Sequence, residues 1–222
     1  MTSPPPARGP ITCVACKKEW LPAAALLHQQ GITTGFLSRL GAPFLSALYS
    51  VIASSQWSRV FVALSDQQPV GFVACSVDTG RMYRGIFLRK GLRLAGLLLP
   101  YMARPSSLLN IIQTVLYPVF HRTPKPARSG AGSHTSTSEP VRAELLSIAV
   151  DTNRQGSGVG KLLVAEMERY FAERGVTQCK VVTLAKDETS NGFYRATGFE
   201  FAGTFVHHGN EMCEYIKRIQ IT

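Results

Sequence analysis

A glycine-rich run at residues 155–160, Gln-Gly-Ser-Gly-Val-Gly, has the residue types needed to bind a phosphate. Three glycines within five positions let the backbone approach a ligand closely and direct several amide hydrogens into one concavity. The run lies between a strand-like stretch, residues 144–150, and a helix-like stretch, residues 161–174. Because the start of a helix carries a partial positive charge, an anion is favoured there. The sequence therefore predicts a phosphate-binding loop between a strand and a helix.

The spacing of these glycines excludes two common phosphate-binding loops. A P-loop has four residues between its glycines and then Lys-Ser/Thr, whereas here three residues separate Gly156 from Gly160 and leucine follows the next lysine. The dinucleotide-binding fingerprint places its third glycine three residues after the second, but Gly158 and Gly160 are two apart. The remaining pattern is Gln/Arg-x-x-Gly-x-Gly/Ala, which Gln155, Gly158 and Gly160 fit.

With its flanks, this pattern resembles the GNAT family of N-acetyltransferases, part of the acyl-CoA N-acyltransferase superfamily. Residues 145–150, Leu-Leu-Ser-Ile-Ala-Val, resemble the family's fourth strand, and residues 193–199, Phe-Tyr-Arg-Ala-Thr-Gly-Phe, resemble its Phe-Tyr-x-x-x-Gly-Phe signature. Residues 25–49 also resemble a helical opening found in a bacterial subset. The resemblance covers roughly residues 11–80 and 140–219 and is strongest after 140.

The resemblance implies a single α/β (α+β) domain with a mixed, mostly antiparallel central sheet of about six or seven strands flanked by helices. It also implies acetyl-CoA as the cosubstrate, with the pyrophosphate bound by loop amides. The pantetheine arm would bond to backbone groups of the fourth strand, and one amide there would polarise the thioester carbonyl. The residues expected to contact the cofactor are Ile148, Ala149, Val150, Gln155, Gly156, Ser157, Gly158, Val159, Gly160 and Asn191.

Two residues are expected to transfer protons. Tyr194 matches the family tyrosine that protonates the departing thiolate, with a core-edge aromatic as its structural alternative. Glu144 lies where some family members carry a catalytic glutamate, and apolar neighbours would raise its pKa; a solvent-facing strand residue is the alternative. His207 or His208 is another candidate base or acceptor contact, and only one of these neighbours can face the site.

One position departs from the family pattern. Seven residues before the tyrosine, many members have an asparagine that bonds the cofactor arm, and this chain has Asp187 there. Asn191, one helical turn from Tyr194, offers an amide that would share this role.

Apolar periodicity predicts the elements that position these residues. In the second helix, Phe44, Leu48, Val51 and Ile52 share one face and are expected to be buried. In chain order the expected elements are strand 11–16, helix 21–30, a second helix containing residues 44–52, strands 60–65 and 70–77, strand 142–150, helix 160–174, strand 179–185, helix 187–196 and strands 199–207 and 212–219.

The positive charge of the chain is concentrated between the third and fourth expected strands. The formal net charge is +10, yet residues 79–138 hold nine basic and no acidic residues. Removing these nine from the 24 basic residues leaves 15 against 14 acidic ones, so the rest of the chain is nearly neutral. We expect a basic, apolar helical insert at 81–120 and a flexible, Pro-, Ser- and Thr-rich linker at 121–140.

This insert is compatible with several partners. As a wall of the acceptor pocket it would favour a small amine carrying phosphate, carboxylate, sugar or nucleotide groups. As a surface segment it would rest on an anionic membrane, since its ten-residue apolar run is too short to span a bilayer. A solvated helical face is the third alternative. Few aromatic side chains in the insert could stack on bases, which argues against specific nucleic-acid binding. Two alternatives to an enzyme stay open, a non-catalytic acyl-CoA-binding module and a regulatory module at a membrane surface. A homodimer also stays open.

The remaining composition indicates a cytoplasmic protein without a metal. Residues 1–10 carry three consecutive prolines and no apolar run, so we expect a disordered start and no secretion signal. Five cysteines, an odd number, are expected to be reduced and mostly buried. Cys13 and Cys16 form a lone C-x-x-C with no second Cys or His pair, so we expect no zinc. Location on the inner face of a membrane is the alternative to the cytoplasm.

Overall fold

Seven strands and five helices make up the part of the chain that the computed structural model describes, residues 9–32, 37–86, 140–207 and 209–221. The strands are β1 (Ile11–Ala15), β2 (Ser58–Ser65), β3 (Gln68–Ser76), β4 (Ala143–Val150), β5 (Gln178–Leu184), β6 (Glu200–His207) and β7 (Asn210–Arg218). The helices are α1 (Leu21–Gly31), α2 (Gly41–Ala53), α3 (79–86), α4 (Val159–Glu173) and α5 (Glu188–Ala196).

All seven strands belong to one sheet, in the order β1-β2-β3-β4-β5-β7-β6. Every neighbouring pair is antiparallel except β4 and β5, which run parallel. The parallel pair is possible because α4 supplies the crossover between the two strands. The expected mixed, mostly antiparallel sheet flanked by helices is confirmed.

Helices cover both faces of the sheet, and each face has its own apolar core. On one face α4 and α5 bury residues such as Leu163, Met167 and Phe171 against alternate residues of β2, β3 and β4. On the other face α1 and α2 bury Leu45 and Tyr49 against the intervening strand residues. The period of two along the strands therefore divides their side chains between two layers of helices.

Local backbone chemistry explains where the elements end. The β2–β3 hairpin turns through Asp66 and Gln67, whose φ angles are +51° and +63°, as a two-residue hairpin turn with left-handed residues requires. Gly175, with φ of +68°, follows α4, and its N–H donates to the carbonyl of Ala172. These two turns fix which end of the sheet each following strand enters.

Most element ends agree with the expected ones within two residues. The buried face of α2 is shifted, because Leu45 and Tyr49 are buried while Leu48 is only half-buried. Residues 1–8 and 87–139 lie outside the described residues. With them lie most of the predicted disordered N-terminus (1–10), the basic insert (81–120) and the linker (121–140), and His208 is outside as well.

Candidate active site

Strands β4 and β5 diverge after a short paired stretch. They pair only at Ala143–Cys179 and Glu144–Lys180, whereas β4 continues along β3 to its last residue, Val150. Among the described residues, no strand therefore pairs with the β5 side of β4 beyond Glu144. This edge leaves backbone N–H and C=O groups available to an extended ligand, much as a sheet edge accepts an added strand. The predicted cofactor contacts Ile148, Ala149 and Val150 belong to this stretch.

A bulge in β4 changes which side chains face α1 and α2. In the pairing with β3, Cys75 lies opposite Leu145 and Ala74 lies opposite Ser147, so Leu146 is an extra residue on β4. Leu146 packs with the core under α1 and α2, and the Ser147 hydroxyl reaches that side too. The bulge thus places a hydroxyl group beside the open part of the strand.

The glycine loop leaves the first turn of α4 uncapped by side chains. Gly156 and Gly158 have φ angles of +74° and +88°, which other residues rarely adopt, and a Cβ at either position would meet no protein atom. Gly158 is the N-cap of α4, and no side chain hydrogen-bonds to the helix start there. The first amides of a helix have no acceptor within it, so they remain available to an anion.

The third glycine of the run has a different role. A Cβ on Gly160 would lie 2.8 Å from Cε2 of Phe193, so only glycine lets α4 and α5 approach at this point. Sequence reasoning assigned Gly160 to the ligand. Its close contact with the Phe193 ring shows that it also joins the helix after the loop to the helix that carries Tyr194.

Arg154 adds positive charge beside the loop. Its Nη1 atom is buried and has no hydrogen-bond partner among the described residues, and Lys161 lies in the first turn of α4. A guanidinium donor without a partner costs free energy unless a ligand or water satisfies it. The electrostatics of the loop therefore favour an anion, as the uncapped helix start does.

Tyr194 is buried on α5, against Phe199 and Tyr215. Burial raises the pKa of its phenol above the ordinary value of 10, and the nearby Asp187 carboxylate adds to the increase. The hydroxyl is therefore fully protonated near neutral pH. Such a group can donate a proton and does not act as a base.

Asn191 holds the start of α5 to the end of β5. Its Nδ2 donates to the carbonyls of Leu184, Ala185 and Asp187, and its Oδ1 accepts from the Tyr215 hydroxyl at 2.8 Å. The side chain is 4 % exposed and is engaged in the fold. A contact between Asn191 and the cofactor stays a prediction. For that contact, its Nδ2 or Oδ1 atom would have to bond to the cofactor as well as to its present protein partners.

Asp187, the residue that departs from the family pattern, is the N-cap of α5. Its carboxylate accepts from the backbone N–H of Ser190 at 3.0 Å and from the Ser190 hydroxyl at 2.7 Å. Aspartate is among the residues preferred at this position. The carboxylate therefore serves the helix start, which explains why an acidic residue is tolerated here.

Glu144 lies at the point where β4 and β5 separate, beside Lys180 of β5. Burial raises the pKa of its carboxyl above the ordinary value of 4.5; Lys180 opposes this increase and Glu214 adds to it. Lys180 is itself bound to Glu214, with Nζ 3.3 Å from the carboxylate oxygen. The raised pKa makes the Glu144 carboxylate a stronger base than that of an exposed glutamate, and the lysine opposes the increase.

Sequence reasoning missed a buried polar cluster formed by His28, Tyr49 and Ser147. The Nδ1 atom of His28 lies 2.5 Å from the Tyr49 hydroxyl and 3.2 Å from the Ser147 hydroxyl, and these two hydroxyls are 3.2 Å apart. Burial lowers the pKa of His28 to about 4, so its ring is neutral at pH 7. Two features of the sequence could have indicated this cluster: a histidine in the apolar run at 21–28 and a serine inside a buried strand.

The cysteine pair does not form a site. Cys13 packs towards α4 and Cys16 towards the core under α1 and α2, because three positions along an extended chain bring side chains to opposite faces. Burial raises the pKa of the Cys13 thiol to about 12 and that of Cys16 to about 11, which makes both unreactive. Within the described ranges, no three His, Cys, Asp or Glu side chains are arranged to hold a metal ion.

No described helix has the length and apolar character needed to cross a bilayer.

An open cavity of about 300 Å³ lies on the β6 side of α5, away from the gap between β4 and β5. No residue of β4 or of the glycine loop lines it, so it is distinct from the space beside them. Its lining residues are Ala185, Glu188, Asn191, Arg195, Phe201, Cys213 and Tyr215.

The glycine loop and its flanks lie in a range that matches a known protein family. Residues 121–199 match the family model described as Acetyltransferase (GNAT) family, and this range includes β4, the loop, α4 and α5. No curated protein matches the chain.

The fold is similar to that of several solved acetyltransferase structures. An N-acetyltransferase from Staphylococcus aureus Mu50 has a TM-score of 0.59 at 14% identity, over 96% of this chain and 100% of that one. A ribosomal-protein-alanine N-acetyltransferase from Brucella melitensis has a TM-score of 0.55 at 17% identity, over 93% and 99%. An acetyltransferase of the GNAT family from Streptococcus pneumoniae has a TM-score of 0.54 at 14% identity, over 95% and 100%. These similarities show a shared fold, and the match to the family model covers residues 121–199.

Proposed function

We propose that this protein transfers an acetyl group from acetyl-CoA to the amine of a small acceptor, in a single direct step. The observation that carries the proposal is the meeting of three features at one end of β4. These are the uncapped glycine loop, the open strand edge and the helix that carries Tyr194. The contact between Gly160 and Phe193 holds that helix beside the loop.

The chain's own groups match the needs of the cosubstrate. Amides of the loop from Gln155 to Gly160, at the positive end of α4, would bind the pyrophosphate, with Arg154 contributing charge. Backbone groups of Ile148, Ala149 and Val150 would bond to the pantetheine along the free edge of β4. One of these amides would donate to the thioester oxygen as negative charge develops on it.

Proton transfers would then be divided between two residues. Glu144 would take a proton from the acceptor amine, directly or through a water, because its raised pKa makes it a usable base. The amine nitrogen attacks the thioester carbon, and the carbon–sulfur bond breaks. Tyr194 would give its proton to the leaving sulfur, a role that suits a phenol held protonated by burial.

The acceptor would bind on the side of the sheet that carries α1 and α2. Glu144 and the polar cluster of His28, Tyr49 and Ser147 lie on that side. Tyr83 of α3 belongs to the same side; burial raises the pKa of its phenol, and the charge on Glu144 adds to the increase. We propose an acceptor of metabolite size, and peptide N-termini are the competing class.

A screen for thiol release tests the proposal. Purified full-length protein and acetyl-CoA are incubated with amino sugars, nucleotide sugars, polyamines, amino acids and alanine-terminated peptides, and free CoA is measured. We expect acceptor-dependent release with one small-amine class, slowed by about 10²–10⁴-fold in Tyr194→Phe under the same conditions. Binding of acetyl-CoA without acceptor-dependent release by any class would instead favour a non-catalytic acyl-CoA-binding module.

A further inference from the structure

A second group of polar residues lies at the opposite end of the sheet from the glycine loop. It consists of Arg59 near the start of β2, and Tyr170 and Arg174 at the end of α4, and we call it the Tyr170 cluster. Tyr170 follows Gly158 by twelve residues, which along a helix is about 18 Å. The cluster is therefore outside the cleft proposed for acetyl-CoA.

Two guanidinium groups flank a single phenol in this cluster. The Cζ atom of Arg174 lies 5.2 Å from the centroid of the Tyr170 ring, and that of Arg59 lies 5.8 Å from it. Phe61 packs edge-on against the same ring, at 5.8 Å between centroids. Contact with an aromatic face stabilises each cation and does not neutralise its charge.

The Tyr170 hydroxyl is a buried hydrogen-bonding group without a partner. The residue is 4 % exposed, and its oxygen makes no hydrogen bond within the part of the chain that the structure describes. The guanidinium carbons of Arg174 and Arg59 lie 5.2 and 5.8 Å from the centroid of this ring, so two positive charges are close to the phenol. Leaving a buried hydroxyl unsatisfied costs free energy, which a suitable ligand would recover.

No carboxylate neutralises the two arginines. Among the described residues, neither Arg59 nor Arg174 forms a salt bridge. Three acidic residues lie in the same stretch of α4: Arg169 binds Glu166 and Glu173, and Lys217 binds Glu168. Within the described residues, Arg174 makes one hydrogen bond, of 3.4 Å, to the carbonyl of Gln56. Two like charges therefore lie beside one phenol without a counter-charge in the described chain.

We propose that the Tyr170 cluster is a binding site for a phosphate group. The two guanidinium groups would each donate to phosphate oxygens, and the Tyr170 hydroxyl would donate to a third. Arg174 is exposed, so its flexible side chain can move from the ring to admit the anion, while Arg59 is held partly buried on β2. Arginine suits this role because its planar fork of N–H groups matches the geometry of phosphate oxygens.

This site is independent of the proposed acetyl transfer. The glycine loop also favours a phosphate, so an experiment has to separate the two positions. Saturating CoA would occupy the loop through its own pyrophosphate and leave the Tyr170 cluster accessible. Phosphate bound to the loop would therefore be displaced by CoA, whereas phosphate bound to the cluster would remain.

Thermal unfolding in inorganic phosphate tests the site. The full chain is unfolded in increasing phosphate and in chloride of equal ionic strength, with and without CoA, and an apparent Kd is obtained from the rise in Tm. We expect a saturable rise that persists with CoA. The double variant Arg59→Gln with Arg174→Gln should lose it, and Tyr170→Phe should weaken apparent binding by about tenfold. Arg218→Gln, an exposed arginine on β7, is the matched control for the loss of one charge.

Three results would overturn the proposal. One is a rise in Tm that disappears when CoA is present, since this would place the phosphate at the loop. Another is an equal rise in the double variant, because phosphate also stabilises proteins non-specifically by exclusion from their surface. The third is an unchanged apparent Kd in Tyr170→Phe, which keeps the shape of the ring and lacks only the hydroxyl.

Discussion

At the scale of single residues, burial determines how readily Tyr194 and Glu144 hold or release a proton. Tyr194 carries a proton at every pH at which the protein would work, because its pKa is raised from 10. Glu144 keeps its proton to a higher pH than an exposed glutamate, because its pKa is raised from 4.5. One residue is thus prepared to give a proton and the other to take one.

The Tyr194→Phe variant should lose turnover and keep its structure. The change removes only the hydroxyl, so the ring contacts with Phe199 and Tyr215 persist. Loss of a general acid typically slows a reaction by about 10²–10⁴-fold, and we expect kcat to fall within that range with little change in Kd for acetyl-CoA. Thiol-release kinetics and a titration with acetyl-CoA measure the two quantities. Full turnover in the variant would remove Tyr194 from the mechanism.

The pH dependence of kcat/KM should report Glu144. A base is active when deprotonated, so the rate should rise with pH through the pKa of Glu144, at a pH above 4.5 because that pKa is raised. Glu144→Gln should remove this rising limb and lower the plateau by about 10²-fold or more. Glu200→Gln, an exposed residue of β6, is the control. An unchanged rising limb in Glu144→Gln would assign the base to another group.

At the scale of elements, close contacts hold the helices around β4. Gly160 of α4 meets Phe193 of α5, and Gly31 at the end of α1 lies so close to Ala149 that a Cβ would be 2.9 Å from its side chain. His28, Tyr49 and Ser147 join α1, α2 and β4 through hydroxyl and ring nitrogen. Each contact positions a wall of the cleft.

Gly160→Ala should disturb the contact between α4 and α5. Its methyl group would overlap the Phe193 ring, and overpacking of this kind costs about 1–3 kcal/mol of unfolding free energy. In a Phe193→Ala background the same change should cost much less, because the obstruction is gone. Wild type, Gly160→Ala, Phe193→Ala and the double variant form a double-mutant cycle, and urea unfolding of all four gives the coupling free energy between the two residues. Additive effects would show that the two residues do not press on each other.

Mild acid should weaken the folded state through His28. Its folded pKa of about 4 is below the unfolded value of 6.5, so between these pH values the unfolded chain binds the proton and the folded one does not. The stabilisation is complete above pH 6.5 and falls by about 3 kcal/mol as the pH approaches 4. Comparing urea unfolding of wild type and His28→Gln at pH 7.5, 5.5 and 4.5 isolates this contribution. Parallel pH profiles would contradict it.

At the scale of the whole molecule, the sequence predicted the framework better than the site. Strands and helices follow from apolar period and turn residues, and these local signals agree with the final fold. The divergence of β4 from β5 has no local signal, because it depends on where two distant strands stop pairing. The same holds for His28, whose hydroxyl partners are 21 and 119 residues away. Contacts at such separations arise from packing, and one sequence does not encode them in a visible pattern.

The charge distribution also belongs to this scale. The described core holds nearly equal numbers of opposite charges, and most of the net +10 comes from residues 79–138. The acceptor would meet this basic segment only if it lies beside the α1 and α2 face. That residues 87–139 help to select the substrate therefore remains a prediction. The acceptor screen tests it by comparing anionic acceptors, such as nucleotide sugars, with the other amines.

The central claim is that the glycine loop and the free edge of β4 bind acetyl-CoA, and calorimetric titration tests it most directly. Wild-type protein should bind one acetyl-CoA per chain. Gly158→Ala should bind about tenfold more weakly, because φ of +88° strains any residue with a Cβ by about 1–2 kcal/mol and distorts the uncapped helix start. Gly85→Ala, at a helical position where a Cβ would have no described atom within 4 Å, should bind like wild type. Absence of binding to wild type, or equal Kd values for wild type and Gly158→Ala, would contradict the account.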